Sequence, residues 1–101
     1  MATPVIFKLE KNSFSPDSVV AFFPAEAATL NPYECTCYAH IGQHGAACVS
    51  YAAALRPATP EQYAPLMREL ERRGYADLKP VRKFLNAHTA ARRAQIAKLA
   101  A

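Results

Sequence analysis

The stretch TPEQYAPLMRELERRG, residues 59–74, decides the fold because it carries the signals of one complete helix. Thr59 suits the N-cap, Pro60 suits the first helical position, and Gln62 completes a capping box with the threonine. Four apolar side chains then recur at helical spacing: Tyr63, Leu66, Met67 and Leu70. Gly74 is placed to end the helix, since glycine readily adopts the left-handed backbone that closes a last turn. We therefore predict a helix with one apolar face that must pack on another layer.

Segments upstream of this helix predict strands that can supply that layer: 5–9, 19–23 and 33–41. In the first, apolar and polar residues alternate, which is typical of a strand with one solvated face, and Lys8 lies on the polar side. In the third, Cys35 and Cys37 share the apolar side, whereas Tyr38 and His40 lie on the other. We expect the apolar sides to pack on the core and the other sides to face solvent.

The chain around the main helix is less regular. Glycines at both ends of residues 42–45 predict a turn that breaks the third strand, and residues 46–55 then predict a short helix. Residues 75–84 fit a fourth strand with Pro80 at a sheet edge, or else a helix that begins at this proline.

An alanine-rich C-terminal segment completes the pattern. Residues 90–101 predict a helix, for which Thr89 is a candidate N-cap. The elements together predict an α+β fold: a small two-layer sandwich in which one main helix packs on a mostly antiparallel sheet of three to four strands, with a C-terminal basic helix. We assign residues 1–86 to a single α+β domain and residues 87–101 to a basic helical tail.

The composition of the 101 residues, 51% hydrophobic and 20% charged, excludes an acidic disordered chain. There is no apolar run of the roughly 18 residues that a membrane span needs, and residues 1–10 lack the pattern of a signal peptide. An odd number of cysteines does not suit a secreted disulfide scaffold, so we expect reduced thiols. We therefore predict a cytoplasmic protein without membrane contact.

The segment from Cys35 to Cys48 holds the side chains that could carry chemistry. His40, His44 and Cys48 are candidate zinc ligands if the glycine-containing turn folds back. Cys48 and His44 could alternatively be the nucleophile and base of a small thiol enzyme, since a helix N-terminus lowers the pKa of a nearby cysteine. The sequence names no oxyanion hole and no orienting group, so we predict no cofactor and favour a protein that is not an enzyme.

The same segment predicts a recognition surface. A turn at residues 42–45 would hold Gln43 and His44 at a corner between strand and helix, where both side chains can donate and accept hydrogen bonds. Tyr38 and His40 would extend this polar and aromatic surface along the strand. The alternative that the histidines only satisfy backbone groups and fix the turn stays open.

Positive charge is concentrated in the C-terminal third of the chain. The formal net charge of +4 divides into −2 for residues 1–67 and +6 for residues 68–101. Such asymmetry is typical of a surface that contacts nucleic acid or an acidic partner, and also of an ordinary solvated helix. The candidate phosphate contacts are Arg68, Arg72, Arg73, Lys79, Arg82, Lys83, Arg92 and Arg93.

Two motifs carry a resemblance to a known family: YAHIGQHG at residues 38–45 and ATPEQY at residues 58–63. Together with VAFFP at residues 20–24, they resemble a family of small uncharacterised bacterial proteins that occur in phages, plasmids and other mobile elements. The resemblance covers about residues 19–84. The family has no assigned activity, so the resemblance implies a setting in mobile elements and no catalytic residues.

Three hypotheses follow. The first is a non-enzymatic accessory protein of a phage or mobile element that binds a host or phage protein, for example as an inhibitor of a host defence system. The second is a nucleic-acid-binding protein that uses the basic C-terminal part. The third is a small metal- or thiol-dependent enzyme at the segment from Cys35 to Cys48. A thin core in a chain of this length is also compatible with a homodimer.

Overall fold

The structure, a computed structural model, describes residues 2–10, 18–39 and 43–100, and these form five strands and three helices. In chain order the elements are β1 (Thr3–Leu9), β2 (Val19–Ala27), β3 (Glu34–Ala39), β4 (Gln43–Cys48), α1 (Val49–Ala54), α2 (Pro60–Arg72), β5 (Leu78–Pro80) and α3 (Asn86–Ala100).

The strands form one sheet in the order β4-β3-β2-β1-β5. β1 to β4 pair antiparallel with their neighbours, and β5 runs parallel to β1 at one edge. The predicted α+β class and the mostly antiparallel sheet are confirmed. The sheet has five strands where the sequence predicted three to four, and the additional strand is β4.

β4 occupies a segment for which the sequence predicts a turn followed by a helix. Residues 43–48 pair with β3 along its whole length, and α1 begins only at Val49. Alanine favours helices, but the edge of β3 offers backbone partners over six residues, and this pairing overrides the local preference. The turn predicted at 42–45 is therefore wrong for its last three residues, which are strand, while Gly42 lies outside the described residues.

Both faces of the sheet are covered, with α2 on one side and α1 on the other. The α2 face buries a cluster of side chains: Val5, Phe7, Leu9, Val19, Ala21, Phe23, Tyr38, Leu66 and Leu70. The opposite face buries a second cluster: Ile6, Val20, Phe22, Cys35, Ala52 and Leu55. Val81 and Phe84, which follow β5, pack against this second cluster.

The covering of both faces corrects two expectations about exposed side chains. Lys8 is only 6% exposed, because the cluster around Leu55 covers the face that the alternation of β1 marks as solvated. Tyr38 is 0% exposed, because α2 covers the face of β3 that was expected to meet solvent. Successive side chains of these strands therefore point into two different buried clusters, one on each face of the sheet, and not alternately into a core and into water.

The helix α2 has the termini that its sequence predicts. The Thr59 hydroxyl accepts the backbone N–H of Gln62, and the Gln62 side-chain oxygen accepts the Thr59 N–H, which completes the capping box. At the other end, Gly74 has a φ of +106° and closes a Schellman motif, in which the Tyr75 N–H donates to the Leu70 carbonyl at 3.1 Å. Tyr75 then packs against the α2-face cluster.

We expect Gly74→Ala to lower the free energy of unfolding by about 1–2 kcal/mol, because a side chain strains a left-handed backbone. Gly45→Ala is the matched control, since an added Cβ there would meet nothing nearer than the Cys37 Sγ at 3.7 Å, an ordinary contact. The control should leave stability unchanged or raise it by up to about 1 kcal/mol. Urea denaturation of both variants checks this, and equal losses would contradict the role assigned to Gly74.

The C-terminal helix α3 begins earlier than its sequence predicts. Its first residue is Asn86, one turn ahead of the alanine-rich run and of the predicted cap Thr89. His88 explains the difference, because its Nδ1 accepts the Leu85 N–H at 3.0 Å and so satisfies a donor at the start of the helix. Neither α3 nor another helix in the described part of the chain is long and apolar enough to cross a lipid bilayer.

α3 docks on the end of β2 through two polar side chains. Arg92 donates to the carbonyl oxygens of Pro24 and Pro32. Gln95 accepts the Ala27 N–H at 2.7 Å through its side-chain oxygen and donates to the Ala25 carbonyl at 2.8 Å. The pairing of β2 with β3 is irregular beyond Phe23, so α3 supplies partners to backbone groups there.

The ambiguous segment 75–84 is mostly irregular and contains the short strand β5. Pro80 lies on this edge strand, as the first of the two alternatives predicts. An edge position suits proline, since it has no N–H to donate to a further strand.

Candidate functional site

A group of polar and aromatic side chains lies where α2 crosses β3 and β4, and we call it the Tyr38 cluster. Its members are Tyr38, His44, Glu69, Arg73 and Tyr75. The Tyr38 hydroxyl donates to the Glu69 carboxylate, and the Arg73 guanidinium lies 5.4 Å from the centroid of the Tyr38 ring. Helix and sheet are thus joined by a buried phenol with an anion at its hydroxyl and a cation over its ring.

His44 joins the cluster because the register of β3 and β4 places it directly opposite Tyr38. Its Nε2 lies 2.8 Å from the Tyr75 hydroxyl, and its ring meets the Tyr38 ring edge-on with 4.8 Å between centroids. Tyr75 is held in turn by stacking on Phe23, with 5.0 Å between centroids. The structure therefore brings together two predicted site residues, Tyr38 and His44, on a pair of strands.

The electrostatics of the cluster favour protonated phenols. Burial raises the pKa of Tyr38, and the Glu69 carboxylate raises it further, while Arg73 opposes the shift. Burial also raises the pKa of Tyr75, with an added contribution from Glu26. At neutral pH both hydroxyls are therefore protonated and act as hydrogen-bonding groups.

β4 presents an open backbone edge beside this cluster. The Val49 N–H donates to the Tyr33 carbonyl at 2.9 Å, so the Tyr33–Val49 position has the register of a hydrogen-bonded pair of the antiparallel ladder, although the Tyr33 N–H itself donates to the Asn31 Oδ1. Such pairs alternate along a ladder, which places Ala47 among the residues that bond to β3. His44 and Ala46 lie in the alternate, non-hydrogen-bonded pairs, so their N–H and C=O groups point away from β3.

This outer side of residues 44–46, which we name the β4 edge, lacks the features that usually block an edge strand. β4 reads QHGAAC and contains no lysine, proline or acidic residue. Gly45 and Ala46 are exposed, and within the described chain β4 pairs with β3 alone. Edge strands are commonly blocked by charge, proline or a bulge, so an unblocked edge is typical of a surface that accepts another strand.

The four residues predicted to form a recognition turn do not lie together on one exposed turn. His44 is exposed in β4, whereas Tyr38 is buried beneath α2. Gln43 is the first residue of β4. His40 lies outside the described residues. The strand pair replaces the predicted corner, because β4 continues the sheet where a turn into a helix was expected.

The three cysteines are unpaired and lie in different environments. Cys48 is exposed at the N-terminus of α1, with its Sγ 3.1 Å from the Ser50 Oγ. The bond to Ser50, followed by the backbone N–H groups of Tyr51 and Ser50, lowers the pKa of Cys48, as the sequence predicts. Burial raises the pKa of Cys35 to about 12 and also raises that of Cys37.

The structure does not bring Cys48 and His44 together. They stand four residues apart on one extended strand, about 13 Å at the usual rise per residue. His40, the third residue of the alternative metal set, lies outside the described residues. Among the residues that the structure describes, no group of three or more His, Cys, Asp or Glu side chains is placed to hold a metal ion.

We expect iodoacetamide to alkylate Cys48 first in the native protein near neutral pH, because the thiolate is the reactive form. Its labelling should begin at a lower pH than that of an ordinary cysteine. Cys35, with a pKa of about 12 and no exposure, should react only on unfolding. Ser50→Ala removes a bond to the Cys48 sulfur and should slow its labelling at neutral pH. Peptide mass spectrometry measures the order, and faster labelling of Cys35 would contradict the arrangement.

Seven of the eight predicted phosphate contacts are exposed, and Arg92 is the exception. Arg92 is 1% exposed, and its guanidinium donates to Pro24, Pro32 and the Thr89 hydroxyl. The expectation that Arg92 contacts phosphate is therefore wrong, because its donors are used inside the fold. The seven exposed cations lie on and just after α2, on and after β5, and on α3: Arg68, Arg72, Arg73, Lys79, Arg82, Lys83 and Arg93.

The sequence does not predict two members of the Tyr38 cluster, Glu69 and Tyr75. A signal for Tyr75 exists, because the residue after a helix-ending glycine commonly contacts the last turn. Glu69 has no such signal, since a charged residue on the flank of a helix normally faces water.

No family model, curated protein or solved structure matches the chain.

Proposed function

We propose that this chain is a non-enzymatic binding protein that takes a macromolecular partner on the β4 edge. The outward backbone groups of His44 and Ala46 are the observation that carries the proposal, since an extended segment of another protein can continue the ladder there. Main-chain hydrogen bonds give such complexes affinity, and side chains beside the edge give specificity. His44 and Arg73 lie on the α2 side of the edge and would select the side chains of the partner.

The side chains best suited to chemistry support binding over catalysis. The Tyr38 hydroxyl is bonded to Glu69, and the His44 imidazole is bonded to Tyr75. Cys48 is exposed and has a lowered pKa, but its candidate base His44 stands about 13 Å away along the strand. These groups therefore have partners inside the fold or lack the neighbour that a reaction would need.

We further propose that the partner is a protein of the host or of the phage or mobile element, and that the complex forms in the cytoplasm. The resemblance of residues 19–84 to a family from mobile elements supports the first part. The unpaired thiols support a reducing compartment. Inhibition of a host defence system is one form that such binding takes.

Nucleic acid is the second candidate partner, and the exposure of seven predicted cations favours it. Arg93 also lies with its guanidinium 5.7 Å from the centroid of the exposed Tyr33 ring, a pair that could meet phosphate and base. Binding through phosphates should weaken steeply with salt. Fluorescence anisotropy with duplex and single-stranded oligonucleotides tests this candidate, and no binding to either at low salt would remove it.

Substitutions at the β4 edge test the first proposal. Ala46→Pro removes an outward N–H and leaves the ladder to β3 intact, because Ala46 does not donate to β3. Ala46→Lys places a charge on the edge. Ala53→Lys is the matched control, since it adds the same charge at an exposed position of α1.

We expect the wild type and Ala53→Lys to capture the same protein from host lysate, and both Ala46 variants to lose it while melting at a similar temperature. Capture that survives in Ala46→Pro would contradict the proposal, as would a wild type that captures nothing above background. Native mass spectrometry separates a further outcome. A homodimer that disappears with Ala46→Pro would assign the edge to a second copy and overturn a different protein as its occupant.

A further inference from the structure

A cavity of about 430 Å³ opens at the other end of the sheet, beside β1. It lies between the start of α2 and the segment that follows β5. The lining residues that matter for its chemistry are Phe7, Lys8, Thr59, Tyr63, Arg82 and Lys83. β4 is at the opposite edge of the sheet, so this cavity is separate from the β4 edge.

Lys8 is the unusual group in this cavity. It is 6% exposed, and the described residues offer its ammonium one acceptor, the Leu55 carbonyl at 3.1 Å, and no carboxylate. Burial lowers the pKa of Lys8, and no opposing charge compensates for it. An ammonium has three donors, and a buried charge is costly unless it is paired. The side chain therefore has donors left for a further acceptor.

Two more cations and a helix terminus add positive potential at the same place. Arg82 and Lys83 line the cavity from its exposed side. Thr59 and Pro60 line it at the N-terminus of α2, where the helix dipole favours an anion. No acidic residue is among the described residues that line the cavity.

One wall of the cavity is aromatic and apolar. The Tyr63 ring stacks on Phe7 with 4.3 Å between centroids and an interplanar angle of 12°. Pro57 and Pro80 extend the apolar lining. The volume falls in the range of about 300–1,000 Å³ that small-molecule sites occupy. A cavity with an apolar wall and three cations fits an organic anion better than a purely apolar ligand or a lone inorganic ion.

We propose that this cavity binds a small phosphate monoester across the edge of β1, with the phosphate between Lys8 and the Arg82–Lys83 pair on the Leu55 side and the organic part against Tyr63 on the α2 side. Phosphate oxygens would accept the unused donors of the buried ammonium and make charge-assisted hydrogen bonds with the two outer cations. The aromatic wall would contact a flat group such as a nucleobase.

The test titrates ¹⁵N-labelled protein with AMP, adenosine and inorganic phosphate. We expect AMP to shift the amides of Lys8, Thr59, Tyr63 and Lys83, inorganic phosphate to shift a subset more weakly, and adenosine to bind least. A single-stranded oligonucleotide with a 5′-phosphate is compared with its unphosphorylated form, which distinguishes a terminal phosphate of nucleic acid from a free nucleotide. Tighter binding of the phosphorylated oligonucleotide than of AMP would overturn the small-molecule assignment.

Two variants keep the proposal falsifiable. Lys8→Met removes the buried charge at similar length and should weaken AMP binding about tenfold or more while raising the melting temperature. Arg82→Gln with Lys83→Gln tests the outer pair without touching the core, and Arg72→Gln, an exposed cation that does not line the cavity, is the control. Unchanged AMP binding in the double variant, equal binding of adenosine and AMP, or no shifts at millimolar AMP and phosphate would each overturn the proposal.

Discussion

Arg92→Ala is expected to lower the free energy of unfolding by about 3–5 kcal/mol, which is at the upper end of what a single substitution costs. Arg92 is 1% exposed, and its guanidinium donates to two carbonyls and one hydroxyl, those of Pro24, Pro32 and Thr89. Alanine leaves these acceptors without donors and creates a void at the contact between α3 and β2. Urea denaturation followed by circular dichroism measures the loss.

Two neighbouring variants show whether the buried hydrogen bonds cause this effect. Arg93→Ala removes an exposed cation from Tyr33 and should cost less than about 1 kcal/mol. Arg92→Lys keeps the charge but cannot present the planar fork that reaches all three acceptors, so it should remain strongly destabilised. If Arg92→Ala and Arg93→Ala cost the same, α3 is not anchored in the way described.

Tyr38→Ala is expected to lower the free energy of unfolding by about 3–5 kcal/mol, since it removes a fully buried ring between α2 and the sheet. Tyr38→Phe keeps the ring and removes only the hydroxyl that donates to Glu69, so its cost should be about 1–2 kcal/mol. The difference between the two variants separates ring packing from the hydrogen bond. Chemical denaturation of both gives the two values.

The control for this pair is Tyr51→Ala, which removes an exposed tyrosine from α1 and should change stability by less than about 0.5 kcal/mol. Chemical shifts of the His44 imidazole provide an independent readout, because its ring meets that of Tyr38 edge-on. They should move in Tyr38→Ala and change little in Tyr38→Phe. A Tyr38→Ala variant as stable as the wild type would contradict the placement of Tyr38 in the core.

The parts of the fold that the sequence predicts well are those with local causes. The two ends of α2 depend on side chains a few residues apart, the Thr59 and Gln62 pair and the glycine at position 74, so they can be read without knowing the rest of the structure. β4 has no such local cause. Its glycine and alanines neither favour a strand nor form a pattern, and only the partner strand β3 makes it one.

The burial of polar side chains is the second feature that could not be predicted from the sequence. The alternation in β1 and β3 indicates two different faces, but it does not say whether water or another helix lies on the second face. The sequence therefore predicts solvent exposure for Lys8 and Tyr38, and both are buried. The burial of Arg92 is equally hard to predict, because α3 has only a weakly apolar side. Nothing in the local sequence indicates that the guanidinium will donate to backbone carbonyls elsewhere in the chain.

The candidate site was predicted in part. His44 was identified from its place among the glycines, and the structure puts it beside an open strand edge. Its neighbours Glu69 and Tyr75 come from α2 and from the chain just after it, which only the packing of helix on sheet brings close. A residue type and its spacing can therefore point to a site, whereas the chemistry of the site depends on contacts between distant parts of the chain.

Amide hydrogen exchange of the isolated protein tests most directly whether the β4 edge is open. If the edge is open, the amides of His44 and Ala46 exchange rapidly, while those of Gly45 and Ala47, which face β3, are protected. An alternating pattern over these four residues is the predicted result. Equal protection of Ala46 and Ala47 would contradict the account, because it would mean that the outer side of β4 is already covered.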